Sequence, residues 1–208
     1  MAANEPPTGE PTGAAPDGPA GGAGEEFDRA TPVAGDTSYA GLAFRQCHPD
    51  HASVADTLRA GAAFPSRFTP RGARFGVLYV ALARETATAE LRRRAAQLGM
   101  PLAALAPRAM LTLGVRLRRA LDVTDAAVRR AWGLTSEDLA ADDYARCQEV
   151  ALAARADGYE GIRYPSAAVT DGREGGAPGV NLAIFADRLH PGSEVRVVRS
   201  DPLPLVDT

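Results

Sequence analysis

Glu90 lies on the segment "VLYVALARETATAELRRR", residues 77–94, which passes from a short apolar strand into an amphipathic helix directly downstream of Tyr79. Two readings of that carboxylate stay open on spacing alone. In the first it sits near the positive end of the helix dipole and pairs with Arg93 and Arg94, an arrangement worth roughly 0.3 kcal/mol per pair. In the second it is a catalytic carboxylate. A capping box would require Ser or Thr three positions earlier, and that position is Ala87, so the carboxylate is not explained as a cap.

A second chemistry is anion binding. Arg67, Arg71 and Arg74 fall within eight residues, interleaved with Phe68 and Phe75, and Arg45 lies on an upstream strand. Guanidinium presents paired donors that match phosphate oxygens, which suits a diphosphate. The same pattern with stacking rings suits single-stranded nucleic acid. All 23 basic residues are Arg and none is Lys, which excludes a Walker A lysine, a kinase lysine and a Schiff base. Anions must therefore be held by Arg or by backbone.

Other candidates carry less. "CHPDH", residues 47–51, gathers Cys47, His48, Asp50 and His51, but zinc needs three or four convergent ligands and Pro49 breaks the helix that would align the two histidines. A solvated turn without metal is expected there. Ser166 lacks the G-x-S-x-G elbow and the chain has 3 His, so a hydrolase triad is not expected, although a serine beside Pro165 can donate a positioning hydrogen bond. "GREGGAPG", residues 172–179, opens no helix and reads as a hairpin loop rather than a dinucleotide fingerprint. Cys47 and Cys147 are expected as free buried thiols.

These residues need a scaffold. Residues 1–38 contain 7 Gly, 6 Pro, seven acidic side chains, Arg29 and one aromatic, Phe27; that mixture buries too little apolar surface to offset ordering entropy and is expected to be a disordered acidic tail. Its charge of −6, subtracted from the total of −3, leaves residues 39–208 at +3. With 45% hydrophobic residues, the remainder can bury one core. The N-terminus lacks the basic and apolar regions of a signal peptide and there is no apolar run of about 18 residues, so a cytoplasmic protein with no membrane association is expected.

Within residues 39–208, "SYAGLAFRQC" alternates Leu42 and Phe44 against Ala43 and Arg45, predicting a strand that buries Leu42 and Phe44 and projects Arg45 from the other face. A helix is expected over Ser53–Ala60, then an Arg-rich loop over residues 65–76, then the strand "VLYVAL". The helix from about Thr86 to Leu98 should bury Ala87, Leu91, Ala95 and Leu98. "MLTLGVRL" places Leu111, Leu113, Val115 and Leu117 on one face. A short helix capped by Thr124 or Asp125 runs to Trp132, and a longer one opened by Asp142 or Asp143 runs through Tyr144, Cys147, Ala151 and Ala154. "YEGIRYPSAAV", "NLAIFA" and "EVRVVR" follow as strands. The fold class is α+β, a mixed β-sheet core with flanking helices.

Taken in order, "FRQ", "SRFTPRG", "VLYVAL", "TATAE", "GIRYPSA" and "NLAIF" resemble the RES domain, named for an Arg, a Glu and a Ser. The resemblance spans about residues 39–200 and makes residues 39–208 a RES-like catalytic domain. It implies a fold similar to ADP-ribosyltransferases and an NAD-degrading enzyme, an NAD phosphorylase or glycohydrolase. Such enzymes are commonly the toxin of a bacterial toxin–antitoxin pair with an Xre-like antitoxin.

By the same resemblance Arg45, Arg67, Tyr79, Glu90 and Ser166 match the family's site residues, and Asn181 matches a late-strand polar residue. Glu90 would then stabilise an oxocarbenium-like ribose. Arg45 and Arg67 would hold the diphosphate or inorganic phosphate, Tyr79 would stack on nicotinamide or ribose, and Ser166 would orient it. NAD is thus a substrate, and no prosthetic group is implied. Two departures stand out. The family's Gly-Gly-Arg-Trp-Asn loop is here Pro65-Ser66-Arg67-Phe68-Thr69, and Ala43 stands where some members carry a basic residue. The alternatives are ADP-ribosyl transfer to a macromolecule and a non-enzymatic nucleic-acid module built on Arg67, Phe68, Arg71, Arg74 and Phe75. For the enzyme itself, contact with nucleic acid is expected only through an antitoxin.

Overall fold

The computed structural model describes residues 35–55, 65–169 and 179–205. The expected tail over residues 1–34, most of the expected Ser53–Ala60 helix and nearly all of the 172–179 loop lie outside the described residues; Val54 and Ala55 are helical. The strands are β1 (Asp36–Cys47), β2 (Leu78–Ala81), β3 (Arg108–Asp122), β4 (Gly161–Pro165), β5 (Val180–Ile184) and β6 (Glu194–Leu203). The helices are α1 (Arg84–Gln97), α2 (Ala126–Ala131), α3 (Ser136–Ala140) and α4 (Ala145–Ala156). The content is α+β as expected, but β1 starts at Asp36, inside the stretch expected to be tail. Asp36 earns its place through a 3.0 Å ion pair to Arg119.

The sheet order is β1-β2-β5-β4-β3-β6, with β1 also paired along β3. That extra pairing closes β1, β2, β5, β4 and β3 into a ring and leaves β6 on the flank of β3. All pairings are antiparallel except β3 with β4. Inside the ring β3 supplies Leu111, Leu113, Val115 and Leu117, each 4% exposed or less. A second cluster of Val128, Cys147, Val150, Ala151 and Ala154 packs the helices after β3 against Ile162 and Phe185. Cys47 and Cys147 are both free and buried. Among the described residues no helix is long and apolar enough to cross a membrane.

Two expectations about faces are corrected. Ala43 is fully buried and Leu42 is 52% exposed, the reverse of the expected orientation, so Arg45 shares the inner face with Ala43 and Cys47. Register sets this: Gly41, Ala43 and Arg45 lie opposite Val115, Leu113 and Leu111. The bulky β3 side chains fill the interior, and small residues on β1 fit against them. Likewise α1 buries Thr86, Ala87, Leu91 and Ala95 but not Leu98. Gly99 at φ 62° ends the helix in a Schellman turn, with Met100 N–H on Ala95 O and Gly99 N–H on Ala96 O, both at 3.0 Å. Leu98 becomes the C-cap and turns out to solvent.

Candidate active site

Glu90 lies on α1 beside the buried Ala87 and Leu91, which seat the helix against the sheet and aim the carboxylate at the ends of β4 and β5. Its Oε1 accepts from Ser166 Oγ at 2.6 Å and from Asn181 Nδ2 at 2.7 Å. Both donors are 5% exposed. Ser166 is held in turn, its N–H donating to Gly179 O at 2.7 Å. Glu90 Oε2 takes no donor among the described residues. Nor does Glu90 pair with Arg93 or Arg94: Arg93 donates to Ala140 O at 3.1 Å and stands 3.8 Å from Asp142. The helix-surface reading of this carboxylate therefore does not describe the structure.

Arg45 reaches the same place from β1. Its Nη1 donates to Tyr79 O at 2.8 Å, where β1 and β2 pair only through Phe44 and Ala81. Its Nε is buried with no hydrogen-bond partner. Burial lowers the Arg45 guanidinium from its usual value, partly offset by Cys47, Tyr79 and Tyr164.

The loop carrying Arg67 is tied to the sheet by Tyr79. That hydroxyl accepts from Phe68 N–H at 2.8 Å and from Ser66 Oγ at 2.9 Å, and lies 3.2 Å from Thr69 Oγ1. Ser66 and Thr69, which depart from the family pattern, thus supply side-chain bonds to the tyrosine. Gln148 Nε2 adds bonds to Ser66 O and Thr69 O at 3.0 and 3.2 Å. Arg67 itself lies 4.9 Å over the Tyr144 ring and donates to Asp138 O and Ala141 O. Replacing Tyr79 by Phe should strand the Phe68 N–H beside a fully buried ring and lower stability by about 1–3 kcal/mol; urea unfolding measures this, and a change under 0.5 kcal/mol would show that water replaces the hydroxyl.

A cavity of about 310 Å³ is lined by most of these groups but not by Ser166 or Gln148, with Arg45, Arg67, Arg93 and Arg94 facing the single carboxylate of Glu90. Tyr79, Tyr164 and Asn181 line it too, while Arg71 and Arg74 do not. Phe68 is fully buried, edge-on to Tyr164 at 4.9 Å, and Phe75 is covered by the Arg155 guanidinium at 3.6 Å. Neither ring is free to stack on a base, which removes the platform that the nucleic-acid reading requires. In "CHPDH", His48 Nδ1 accepts from Asp50 N–H at 3.3 Å, capping the 3-10 turn Pro49–His51. Among the described residues no three His, Cys, Asp or Glu side chains converge as metal ligands.

Sequence reasoning missed Tyr164, Gln148 and the cavity-facing role of Arg93 and Arg94. Tyr164 carried a signal, its two-residue spacing from Ser166 on one strand face, but Pro165 reads as an interruption. Gln148, on a helix, carried none.

The RES domain matches residues 42–206 of this chain. No curated protein matches its sequence. Among solved structures it is similar to a chain in the crystal structure of the M. tuberculosis MbcT–MbcA toxin–antitoxin complex, at 22% identity and a TM-score of 0.67, covering 81% of this chain and 87% of that one. At that identity the likeness is one of fold.

Proposed function

The chain belongs to the RES domain family, and from that premise and the site's geometry we propose that it cleaves the nicotinamide–ribose bond of NAD. One observation carries the reading: a carboxylate with one oxygen clamped by two donors and the other bare among the described residues, inside a cavity lined by four guanidinium groups. A site so composed suits a dianionic substrate with a cationic reacting centre.

As the C1′–N bond lengthens, its electron pair goes to the nicotinamide nitrogen and positive charge develops on the ribose. Nicotinamide leaves neutral and needs no general acid. The bare Glu90 oxygen lies against the charged ring and accepts from its hydroxyls, and Ser166 and Asn181 spend their donors on fixing Glu90 rather than on substrate. Arg45 and Arg67 hold the diphosphate or bring inorganic phosphate to C1′. Tyr79 presents its ring to the cavity while its hydroxyl holds the Arg67 loop. By analogy with the toxin–antitoxin complex of similar fold, the protein is a toxin neutralised by an antitoxin partner, which the family resemblance makes Xre-like.

The acceptor is read from the products. Full-length protein incubated with NAD should release nicotinamide without added macromolecule, giving ADP-ribose 1″-phosphate in phosphate buffer and ADP-ribose without phosphate, as resolved by ³¹P NMR and mass spectrometry. Nicotinamide release only when a protein or nucleic acid becomes ADP-ribosylated would replace this reading with macromolecule transfer.

A further inference from the structure

Tyr164 is a second polar group at the site whose side chain no described residue engages by a hydrogen bond. Its backbone lies directly opposite Asn181 in the β4–β5 ladder, and it stands two residues before Ser166, so all three side chains share the face of the sheet that meets Glu90. The ring is 6% exposed and braced edge-on by Phe68, yet it lines the cavity, and its hydroxyl has no hydrogen-bond partner among the described residues. The hydroxyl is open to the cavity rather than sealed in the core, so its donor is available to a ligand that displaces water there. The neighbouring Tyr79 hydroxyl is fully engaged by the 66–69 loop. Burial first, then Tyr79 and Glu90, push the Tyr164 phenol well above its usual value, so the group stays protonated and acts as a donor.

We propose that Tyr164 is a catalytic residue whose hydroxyl donates to an oxygen of the nicotinamide ribose while Glu90 Oε2 accepts from a hydroxyl of the same ring. The ring is thereby held between one donor and one acceptor. Substrate class follows from the pair: a ribosyl group with a free diol, fixed by its hydroxyls rather than by its base. This rests on the NAD reading above, which the wild-type control tests separately.

The test is Tyr164→Phe in the full chain, assayed for kcat and KM with NAD and with its 2′-deoxy and 3′-deoxy analogues on the nicotinamide ribose, alongside thermal unfolding. Because the hydroxyl bonds to no described residue, the variant should melt at or above the wild-type temperature. Its kcat with NAD should fall on the order of ten- to a hundred-fold with KM changed less than about three-fold, and the loss should vanish with the analogue lacking the oxygen that Tyr164 touches. Cleavage of NAD at the wild-type rate by the variant would overturn the assignment, as would an equal loss on NAD and both analogues. Wild-type protein that releases no nicotinamide would overturn the NAD reading, and this assignment with it.

Discussion

Glu160→Leu should lower the free energy of unfolding by about 3–5 kcal/mol, a large share of a typical domain's stability. The outer edge of β3 pairs with β6 as far as Arg116 and with β4 only from Ala120, so the backbone between them faces no strand. Glu160, fully buried, fills that gap. Its Oε2 accepts from Arg118 N–H at 2.6 Å and Arg119 N–H at 2.7 Å, and its Oε1 from His190 N–H at 2.7 Å. Leucine has nearly the same bulk and accepts nothing, so three N–H groups would be left without their acceptor.

The same residue gives the fold an acid limb. Burial alone would raise the Glu160 carboxyl, but the Ser193 hydroxyl and the N–H groups of His190, Arg119 and Arg118 hold it below its usual 4.5. Ser193 Oγ lies outside hydrogen-bond geometry, so the three N–H groups carry the effect. Since the folded value lies below the unfolded one, the stabilisation is present above about pH 4.5 and is lost as pH falls through the folded value. Urea unfolding from pH 7 to pH 3 should show a steeper loss for wild type than for Glu160→Leu. Parallel curves, or a loss at pH 7 below 1 kcal/mol, would contradict this role.

What the sequence could disclose depended on how local the cause was. The alternation in β3 reads correctly because its apolar face is continuous and fills the ring by itself. In β1 the alternation of large and small residues is just as regular, yet it points to the wrong face, because the choice was made by partners some 70 residues away in β3. The short helix α3 went unread: Thr135 and Asp138 form its capping box in the structure, but at five residues it is too brief to show a period. Glu160 meets Arg118 from 42 positions away, and no pattern along the chain reports such a contact. The site followed the same division. Glu90 drew attention by its place on a helix, Arg45 and Arg67 by their anion-binding chemistry and Ser166 as a positioning donor, while Tyr79 and Asn181 gained roles only from the family resemblance. The structure brings Glu90, Ser166 and Asn181 into one hydrogen-bonded set and links Arg45 to the Arg67 loop through Tyr79. Only three-dimensional placement showed that the Tyr164 hydroxyl has no hydrogen-bond partner among the described residues.

In the proposed reaction the free oxygen of Glu90 stabilises a cationic ribose, and Glu90→Gln isolates that interaction. The amide oxygen of glutamine can still accept from Ser166 and Asn181, so the variant should fold and bind NAD much as wild type does, while the group facing the ribose has lost its charge. Removing that interaction from the transition state should cost roughly 3 kcal/mol, a fall in kcat of two or more orders of magnitude with KM little changed. The most direct measurement is therefore a time course of nicotinamide released from NAD by equal amounts of folded wild-type and Glu90→Gln protein, with no macromolecular acceptor present. Wild type should complete many turnovers and the variant should release nicotinamide at least about a hundred-fold more slowly; release by the folded variant at near the wild-type rate would rule out this role for Glu90.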